Sequence, residues 1–291
     1  MSGRPVVAVL AAGGLIGGAL AADLVGRGWP LQALARRFTP AQRAALGNAA
    51  LETPFARLSA AELGGLLAGA EVVVNCVGVL QNGPRGRTDE AHEHFVATLL
   101  EVLHRRPKPV LLVHISIPGA PADDRTAFSR SKRAAEQLIE ASGLPHVILR
   151  PGFVIAPAAY GGGALIRALA ALPLRIDPAL GGRPFAVLAV DDLCATVRRV
   201  AELWAAGWPA GGVAWEVMAA ETPTVAEVVE AFRTRFGGPA PRATAPGWLL
   251  QAGALAGDAA ARLGWSPPVR STALAEMKRS EEHTSELQSP C

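Results

Sequence analysis

The chain has 291 residues, of which 50% are hydrophobic and 18% are charged, and its formal net charge is +3. This composition is typical of a globular protein, long enough for one large domain or two small ones. No block of Lys and Arg stands out, so the sequence gives no support for a nucleic-acid partner. No uncharged apolar run reaches the roughly 18 residues that a membrane span needs, so we predict no transmembrane segment in this chain.

The 3 cysteines have no C-x-x-C spacing and no other metal-ligand spacing. Cys76 and Cys194 lie in apolar or helical stretches and are predicted to be small core residues. His92 and His94 stand two residues apart on a predicted helix and do not share a face. We therefore predict no metal site and a reducing, cytoplasmic environment.

Short apolar runs alternate with helical patterns in the first half of the chain. Strands are predicted at "PVVAVL", "LQALA", "EVVVNCVGV", "PVLLVHIS" and "HVILR". Helices are predicted over Leu15 to Arg27, from Thr39 with Pro40 at the first helical position, from a capping box at Ser59 to Glu62, and over about Thr88 to His104 and Thr126 to Ala141. Continuous apolar strands separated by helices predict an α/β fold with a doubly wound parallel sheet.

The pattern loosens after Pro151, where Gly, Pro and Ala become frequent. "PFAVLAVDDL" is predicted as a late strand entering a helix, "VAWEVMA" as another strand and "TVAEVVEAFRTRF" as another helix. We predict a nucleotide-binding domain over 1–150 with a returning segment at about 185–205, and a smaller C-terminal α/β lobe over 151–278 that shares strands with it. The polar string 279–291 resembles a translated sequencing-library adapter and is predicted to be an artefactual or disordered tail.

A glycine-rich turn, "VLAAGGLIGG", follows the first strand and opens the first helix. Such a turn lets the backbone approach a dinucleotide pyrophosphate, and the helix N-terminus supplies free N–H groups. The relevant spacing is Ala11, Gly14 and Gly17, with an alanine where a first glycine is usual. Ala11 is expected to make the turn only with a negative φ. The predicted contacts of this turn are Ala11, Gly13, Gly14, Leu15, Ile16 and Gly17.

Arg36 and Arg37 end the second strand, where an acidic residue would bind the ribose 2′-OH of NAD. Two guanidinium groups suit a 2′-phosphate instead, because their planar donors pair with its oxygens. We therefore predict a preference for NADP(H), with NAD(H) left open. The alternative is a solvated arginine pair.

Several segments in order resemble the extended and atypical short-chain dehydrogenase/reductase superfamily: "VLAAGGLIGG", "VVVNCVGV", "HIS", "FSRSK" with "AAEQLIEASGL", "ILRPGFVIAP" and "LAVDDL". The nearest resemblance is to atypical NAD(P)-binding members related to the nucleotide-binding accessory subunit of respiratory complex I, and it covers about residues 5–205. It implies a Rossmann-like NAD(P) domain with a small substrate lobe. Some such proteins carry a C-terminal membrane-associated segment, so a location peripheral to the inner face of a membrane stays open.

The resemblance implies a role for each matching position. Gly14 and Gly17 match the turn glycines, Ser116 matches a serine that polarises a substrate carbonyl, and Lys132 matches the lysine that holds the nicotinamide ribose. The remaining implied cofactor contacts are Asn75, Cys76, Val77 and Gly78 after the fourth strand, and Pro151 and Gly152 after the sixth. Phe128 stands where the family has its catalytic tyrosine.

A tyrosine there would donate a proton as hydride arrives, and phenylalanine has no ionisable group. Tyr160, the one tyrosine of the chain, is a conceivable substitute, and Ser129 and Ser131 are weaker ones. His114 is expected to point to the opposite side of the sheet from Ser116 and to be structural. Lys132 has a second interpretation, as a surface lysine paired with Glu136 one helical turn on.

Three functions are compatible with these residues. The first is an NADP(H)-dependent oxidoreductase acting on a small carbonyl or quinone-like substrate, with Ser116 or water assisting. The second is a non-catalytic NADP(H)-binding structural or redox-sensing module, associated with a membrane complex in one version. The third is a nucleotide-sugar epimerase or dehydratase, which ranks last because it depends most on the tyrosine. The sequence leaves open whether the protein catalyses a reaction.

Overall fold

The structure is a computed structural model. It describes residues 3–78, 90–159, 161–177, 181–182, 184–245, 255–258 and 260. Tyr160, the tail 279–291 and most residues of 246–278 lie outside these residues.

Seven parallel strands form the central sheet, as the alternating pattern predicts. They are β1 (Val7–Leu10), β2 (Leu31–Ala35), β3 (Ala50–Glu52), β4 (Val72–Asn75), β5 (Leu111–Ile115), β6 (His146–Pro151) and β10 (Gly211–Val217). Their order across the sheet is β10-β6-β5-β4-β1-β2-β3, so β2 and β3 are added on one side of β1 and the later strands on the other, and the strand order reverses between β1 and β4. In a doubly wound sheet the crevice at such a reversal is where ligands bind.

Helices cover both faces of the sheet. They are α1 (Leu15–Gly26), α2 (Pro40–Leu46), α3 (Ala60–Leu66), α4 (Phe95–His104), α5 (Ala127–Ala141) and, later in the chain, α7 (Val190–Ala205). Alternate strand residues enter two separate cores: Val72 and Val74 pack in the core that contains residues of α1 and α7, and Val73 packs in the core that contains residues of α3, α4 and α5. The two cores explain why the buried strands are apolar on both faces.

The predicted helix starts at Thr39 and Ser59 are confirmed, because both residues form capping boxes, with Gln42 and Glu62 respectively. The helix predicted from about Thr88 differs in its first turns. A π-helical turn, Glu90–His94, precedes α4, and residues 88 and 89 lie outside the described part of the chain.

A smaller unit follows β6, with its own core around Phe185 and Ile166. It contains α6 (Gly161–Ala171), α8 (Val225–Phe236) and two short parallel pairs, β7 (Phe153–Ile155) with β9 (Val187–Ala189) and β8 (Leu174–Ile176) with β11 (Ala243–Ala245). The chain returns to the main sheet through α7 and then β10, which pairs with β6. The returning segment in the structure therefore extends to Val217.

Ala11 has a φ of 61°, the one positive φ of a non-glycine residue in the described ranges. The expectation of a negative φ is therefore wrong. Gly14 N donates to the Ala11 carbonyl at 2.9 Å, and Ala12 N donates to Leu34 O at 2.9 Å. These bonds and the close approach of α1 fix the turn, so the backbone adopts the left-handed conformation although the Cβ of alanine disfavours it.

We expect the Ala11→Gly variant to be more stable by about 1 kcal/mol, because glycine removes the cost of left-handed backbone and this gain exceeds the added entropy of the unfolded chain. Ala12→Gly is the control, since Ala12 is fully buried and has no positive φ. Denaturant unfolding should show a higher free energy of unfolding for Ala11→Gly and a lower one for Ala12→Gly. A destabilised Ala11→Gly protein would contradict the strain at Ala11.

His114 and Ser116 lie on the same side of the sheet, because residues two apart on a strand share a face. The expectation that His114 points away from Ser116 is therefore wrong. His114 pairs in register with Asn75 on β4, and the two side chains are hydrogen-bonded at 3.0 Å.

No helix in the described ranges is both long and apolar enough to cross a membrane.

Candidate nucleotide site

The glycine-rich turn leaves space for close backbone approach at the carboxyl end of β1. Gly14 is the N-cap of α1 and has extended backbone, so the first turn of the helix opens directly at the turn. A Cβ on Gly17 would collide with the Ala11 carbonyl group, and one on Gly13 would lie 2.8 Å from Arg37 O. These positions therefore require glycine for packing of the turn against α1 and the end of β2. Leu15 and Ile16 begin the helix and pack against the core.

Arg36 and Arg37 are both exposed immediately after β2. The neighbouring strand β3 also brings an acidic residue to this edge, although none follows β2 in the sequence. Glu52 is the register partner of Ala35, and its carboxylate accepts from Phe38 N at 2.6 Å and contacts Arg43 at 2.5 Å. The Phe38 N–H holds the pKa of Glu52 below its usual value despite partial burial, with Arg43 contributing.

At the carboxyl end of β4, the side chains of Asn75 and Cys76 are used within the protein, whereas Gly78 is exposed. Asn75 is buried, accepts from Val77 N at 3.1 Å, and bonds His114, so its side chain is used within the protein. Cys76 is partly buried against the core, and burial raises its thiol pKa to about 12. Gly78 lies beside the amino group of Lys132.

Lys132 is buried, with 4% of its surface exposed, so its interpretation as a surface lysine is wrong. Its Nζ donates to Val77 O at 3.0 Å and to Ile115 O at 2.8 Å. Val77 stands two residues past the end of β4, and Ile115 is the last residue of β5, so both carbonyls lie at the sheet edge where ligands bind in this architecture. Burial lowers the pKa of Lys132 to about 8, because few charges are near enough to compensate for lost solvation.

His92, Phe128 and Ser131 form a packed group beside Lys132. The ring of Phe128 meets that of His92 edge to face, with centroids 5.5 Å apart. His92 Nδ1 lies 2.8 Å from Ser131 Oγ. Burial, and then the charge of Lys132, lower the pKa of His92 to about 2, so the imidazole is neutral at physiological pH. Spacing along the sequence points to His92 only as an improbable metal ligand, and its contact with α5 follows from the tertiary structure.

Ser116 is buried at the end of β5, and its hydroxyl has no hydrogen-bond partner among the described groups. It lies near the Glu136 carboxylate without reaching hydrogen-bond geometry. Glu136 is held instead by Arg133 at 3.0 Å and by Arg150 at 2.7 Å. Arg133 also donates to Pro118 O at 3.0 Å, so this ion cluster fixes the loop that follows Ser116.

Gly152 lies at the junction between the sheet and the smaller unit. Its N–H donates to Val217 O at 3.0 Å, and a Cβ there would lie 2.8 Å from Ala186 O. Pro151 ends β6 and is buried. Both residues therefore stand at the same edge of the sheet as the amino group of Lys132.

The chain has a glycine-rich turn, a helix N-terminus that follows it directly and a reversal of strand order beside it. Together these features are typical of an α/β protein that binds a dinucleotide at the carboxyl edge of its sheet. Residues 11–168 match the family model described as NAD(P)H-binding. The chain therefore belongs to this NAD(P)H-binding family. No curated protein matches the chain significantly in sequence.

Solved structures share the fold at low sequence identity. The UDP-glucuronic acid 4-epimerase from Bacillus cereus, in complex with NAD, is 16% identical with a TM-score of 0.65, covering 97% of this chain and 96% of its own. The dTDP-glucose 4,6-dehydratase from Bacillus anthracis, in complex with NAD, is 16% identical with a TM-score of 0.64, covering 96% and 97%. The human epimerase family protein SDR39U1 (isoform 2), with NADPH, is 19% identical with a TM-score of 0.63, covering 94% and 99%.

Proposed function

We propose that the protein is an NADP(H)-dependent reductase of a small carbonyl or quinone-like substrate. The observation that supports this most is Lys132, a lysine buried at the ligand-binding edge of the sheet with its amino group held by two backbone carbonyls. Burying an ammonium group is costly, and such a group with a perturbed pKa in a ligand site is a functional candidate.

Each part of the site has a proposed task. The turn from Ala11 to Gly17 and the N-terminus of α1 bind the pyrophosphate, and Arg36 and Arg37 bind the 2′-phosphate. The bound nucleotide supplies hydride. Ser116 donates a hydrogen bond to the substrate oxygen, and Lys132 holds the nicotinamide ribose.

Lys132 is also the proposed source of the proton that tyrosine would give. With a pKa of about 8 its ammonium group is a usable acid near neutral pH. A water molecule in the space of the missing phenol hydroxyl would pass that proton to the substrate oxygen.

We expect Arg36→Ala and Arg37→Ala each to weaken NADPH binding by about 10- to 100-fold, because each removes charged hydrogen bonds to the 2′-phosphate. NADH affinity should change little, since it has no such phosphate. Isothermal titration calorimetry with both nucleotides measures this. Arg105→Ala is the matched control, because Arg105 is an exposed arginine that follows the C-terminus of α4 and pairs with Glu101.

Equal losses for NADPH and NADH would contradict a 2′-phosphate role for the pair. Tighter NADH than NADPH binding by the unaltered protein would contradict the NADP(H) preference itself and would direct attention to Glu52.

A second candidate function is a non-catalytic NADP(H)-binding module. Phe128 favours it, because the usual proton donor is missing while the lysine one helical turn on is retained. Nucleotide binding without NADPH oxidation across a panel of carbonyls and quinones would support it. An epimerase or dehydratase activity, as named for the structural neighbours, ranks below both because it depends most on the tyrosine. A cytoplasmic location remains part of the proposal.

A further inference from the structure

A carboxylate from β3 reaches the loop that follows β2. Glu52, the last residue of β3, pairs in register with Ala35, the last residue of β2. One oxygen of Glu52, Oε1, accepts from Phe38 N at 2.6 Å and also lies 2.5 Å from a guanidinium nitrogen of Arg43. A carboxylate has about four acceptor sites on two oxygens. Within the described part of the chain, Glu52 therefore keeps its second oxygen, Oε2, for another donor.

The ion pair between Glu52 and Arg43 lies where a ligand can separate it. The side chain of Arg43 is 60% exposed and that of Glu52 is 30% exposed. Both side chains line a cavity of about 540 Å³ that also borders Phe38 and Asn48. An exposed ion pair between long side chains contributes little stability. A phosphate group, which offers an arginine two parallel hydrogen bonds, can therefore draw Arg43 away from Glu52.

This pair adjoins the proposed contacts of the dinucleotide phosphates. Gln42, the residue before Arg43, donates through Nε2 to Gly13 O at 3.4 Å, and a Cβ on Gly13 would lie 2.8 Å from Arg37 O. After the Phe38 N–H and Arg43, the charge of Arg37 also contributes to the lowered pKa of Glu52. The carboxylate therefore stands within electrostatic range of the group that Arg37 is proposed to bind.

We propose that Glu52 and Arg43 form a cofactor-selecting pair that lets the site accept both dinucleotides. With NADPH, Arg43 leaves Glu52 and donates to the 2′-phosphate beside Arg37. With NADH, Arg43 stays paired, and Oε2 of Glu52 accepts a hydrogen bond from the ribose 2′-hydroxyl. The negative charge of Glu52 opposes the 2′-phosphate, so the preference for NADP(H) is smaller than the arginines alone would produce. The inference rests on the proposed NADP(H) binding and deepens it by adding NAD(H) as a second, weaker-bound cofactor.

Two substitutions separate charge selection from simple anchoring of the loop. Glu52→Gln keeps an amide oxygen for Phe38 N and removes the negative charge. Arg43→Ala removes the guanidinium group and leaves the carboxylate in place. Glu101→Gln and Arg105→Ala are the matched controls, because they alter another exposed ion pair, at the C-terminal end of α4.

Calorimetry with NADPH and NADH tests the proposal. We expect Glu52→Gln to bind NADPH about threefold more tightly, because a charge that repels the 2′-phosphate is removed. The same variant should bind NADH about tenfold more weakly, because the 2′-hydroxyl loses a charged acceptor. Arg43→Ala should bind NADPH about tenfold more weakly and NADH as the unaltered protein does. Loss of a loop anchor would shift both affinities in the same direction, so opposite shifts in Glu52→Gln identify charge selection.

Equal weakening of both nucleotides in Glu52→Gln, or unchanged affinities, would overturn the proposal, and so would normal NADPH binding by Arg43→Ala. A measurement without substitution guards against misfolded variants: the unaltered protein should bind NADH within about 100-fold of NADPH. Binding of NADPH with no detectable binding of NADH would overturn the role of Glu52 and leave the proposed function intact. Binding of neither nucleotide would overturn both, so the two failures are distinguishable.

Discussion

Replacing Phe128 with tyrosine is expected to raise kcat for NADPH-dependent reduction by roughly 10²- to 10⁴-fold, the usual contribution of a positioned general acid. Phe128 and Lys132 are four residues apart on α5, so they lie on the same face one turn apart. The ring of Phe128 is partly exposed and lies against His92. A phenol hydroxyl at its tip would be near the Lys132 ammonium, whose positive charge lowers a phenol pKa.

The measurement is NADPH oxidation across a panel of aldehydes, ketones and quinones, with NADPH affinity determined separately. Phe128→Leu is the first control, because it changes the ring without adding a hydroxyl. Phe236→Tyr is the second, since Phe236 is an exposed ring at the end of α8. If Phe128→Tyr bound NADPH normally and remained as slow as the unaltered protein on every substrate, position 128 would not be the proton-donor position.

Glu136→Gln is expected to destabilise the protein by about 3 kcal/mol, the lower end of the range for breaking a buried ion pair, because Arg133 keeps its contact with Asp124 at 3.0 Å and Arg150 is partly exposed. Glu136 is 3% exposed, and its two carboxylate oxygens accept four hydrogen bonds of 2.7 to 3.1 Å, two from Arg133 and two from Arg150. Glutamine keeps the shape but cannot neutralise two guanidinium groups. The loop after Ser116 should loosen too, since Arg133 anchors it.

The pH dependence has a defined sign. Burial raises the pKa of Glu136, but hydrogen bonds and charge from Arg150 and Arg133 outweigh burial, so the net pKa lies below its usual value. The ionised carboxylate therefore adds stability above the unfolded-state pKa of about 4.3, and that stability is lost as the pH falls through the lower folded-state pKa. The stability difference between the unaltered protein and Glu136→Gln should be largest near neutral pH and shrink below about pH 4.

Urea unfolding at several pH values measures this difference. Glu140→Gln is the matched control, because Glu140 is exposed one turn further along α5 and should have almost no effect. A Glu136→Gln protein as stable as Glu140→Gln at neutral pH would show that the buried arginines do not need this carboxylate.

The local patterns of the sequence determine the elements and the class of ligand. Alternation of apolar runs and helical patterns predicts the doubly wound sheet, because strands buried on both faces must be apolar throughout. Thr39, Ser59 and the "AFSRSK" helix are predictable because caps and helical periodicity are local properties. The glycine-rich turn likewise indicates a dinucleotide from its spacing between one strand and one helix.

Tertiary structure alone decides what contacts what across the sheet. The left-handed φ of Ala11 depends on the approach of α1 and β2, which no local rule at alanine anticipates. Burial of Lys132 under two strand ends and the contact of His92 with α5 join residues 17 to 55 positions apart in sequence. Glu52 reaches the end of β2 from the adjacent strand. Such placements arise from strand order and register, because these bring together side chains whose separation along the chain carries no periodic signal.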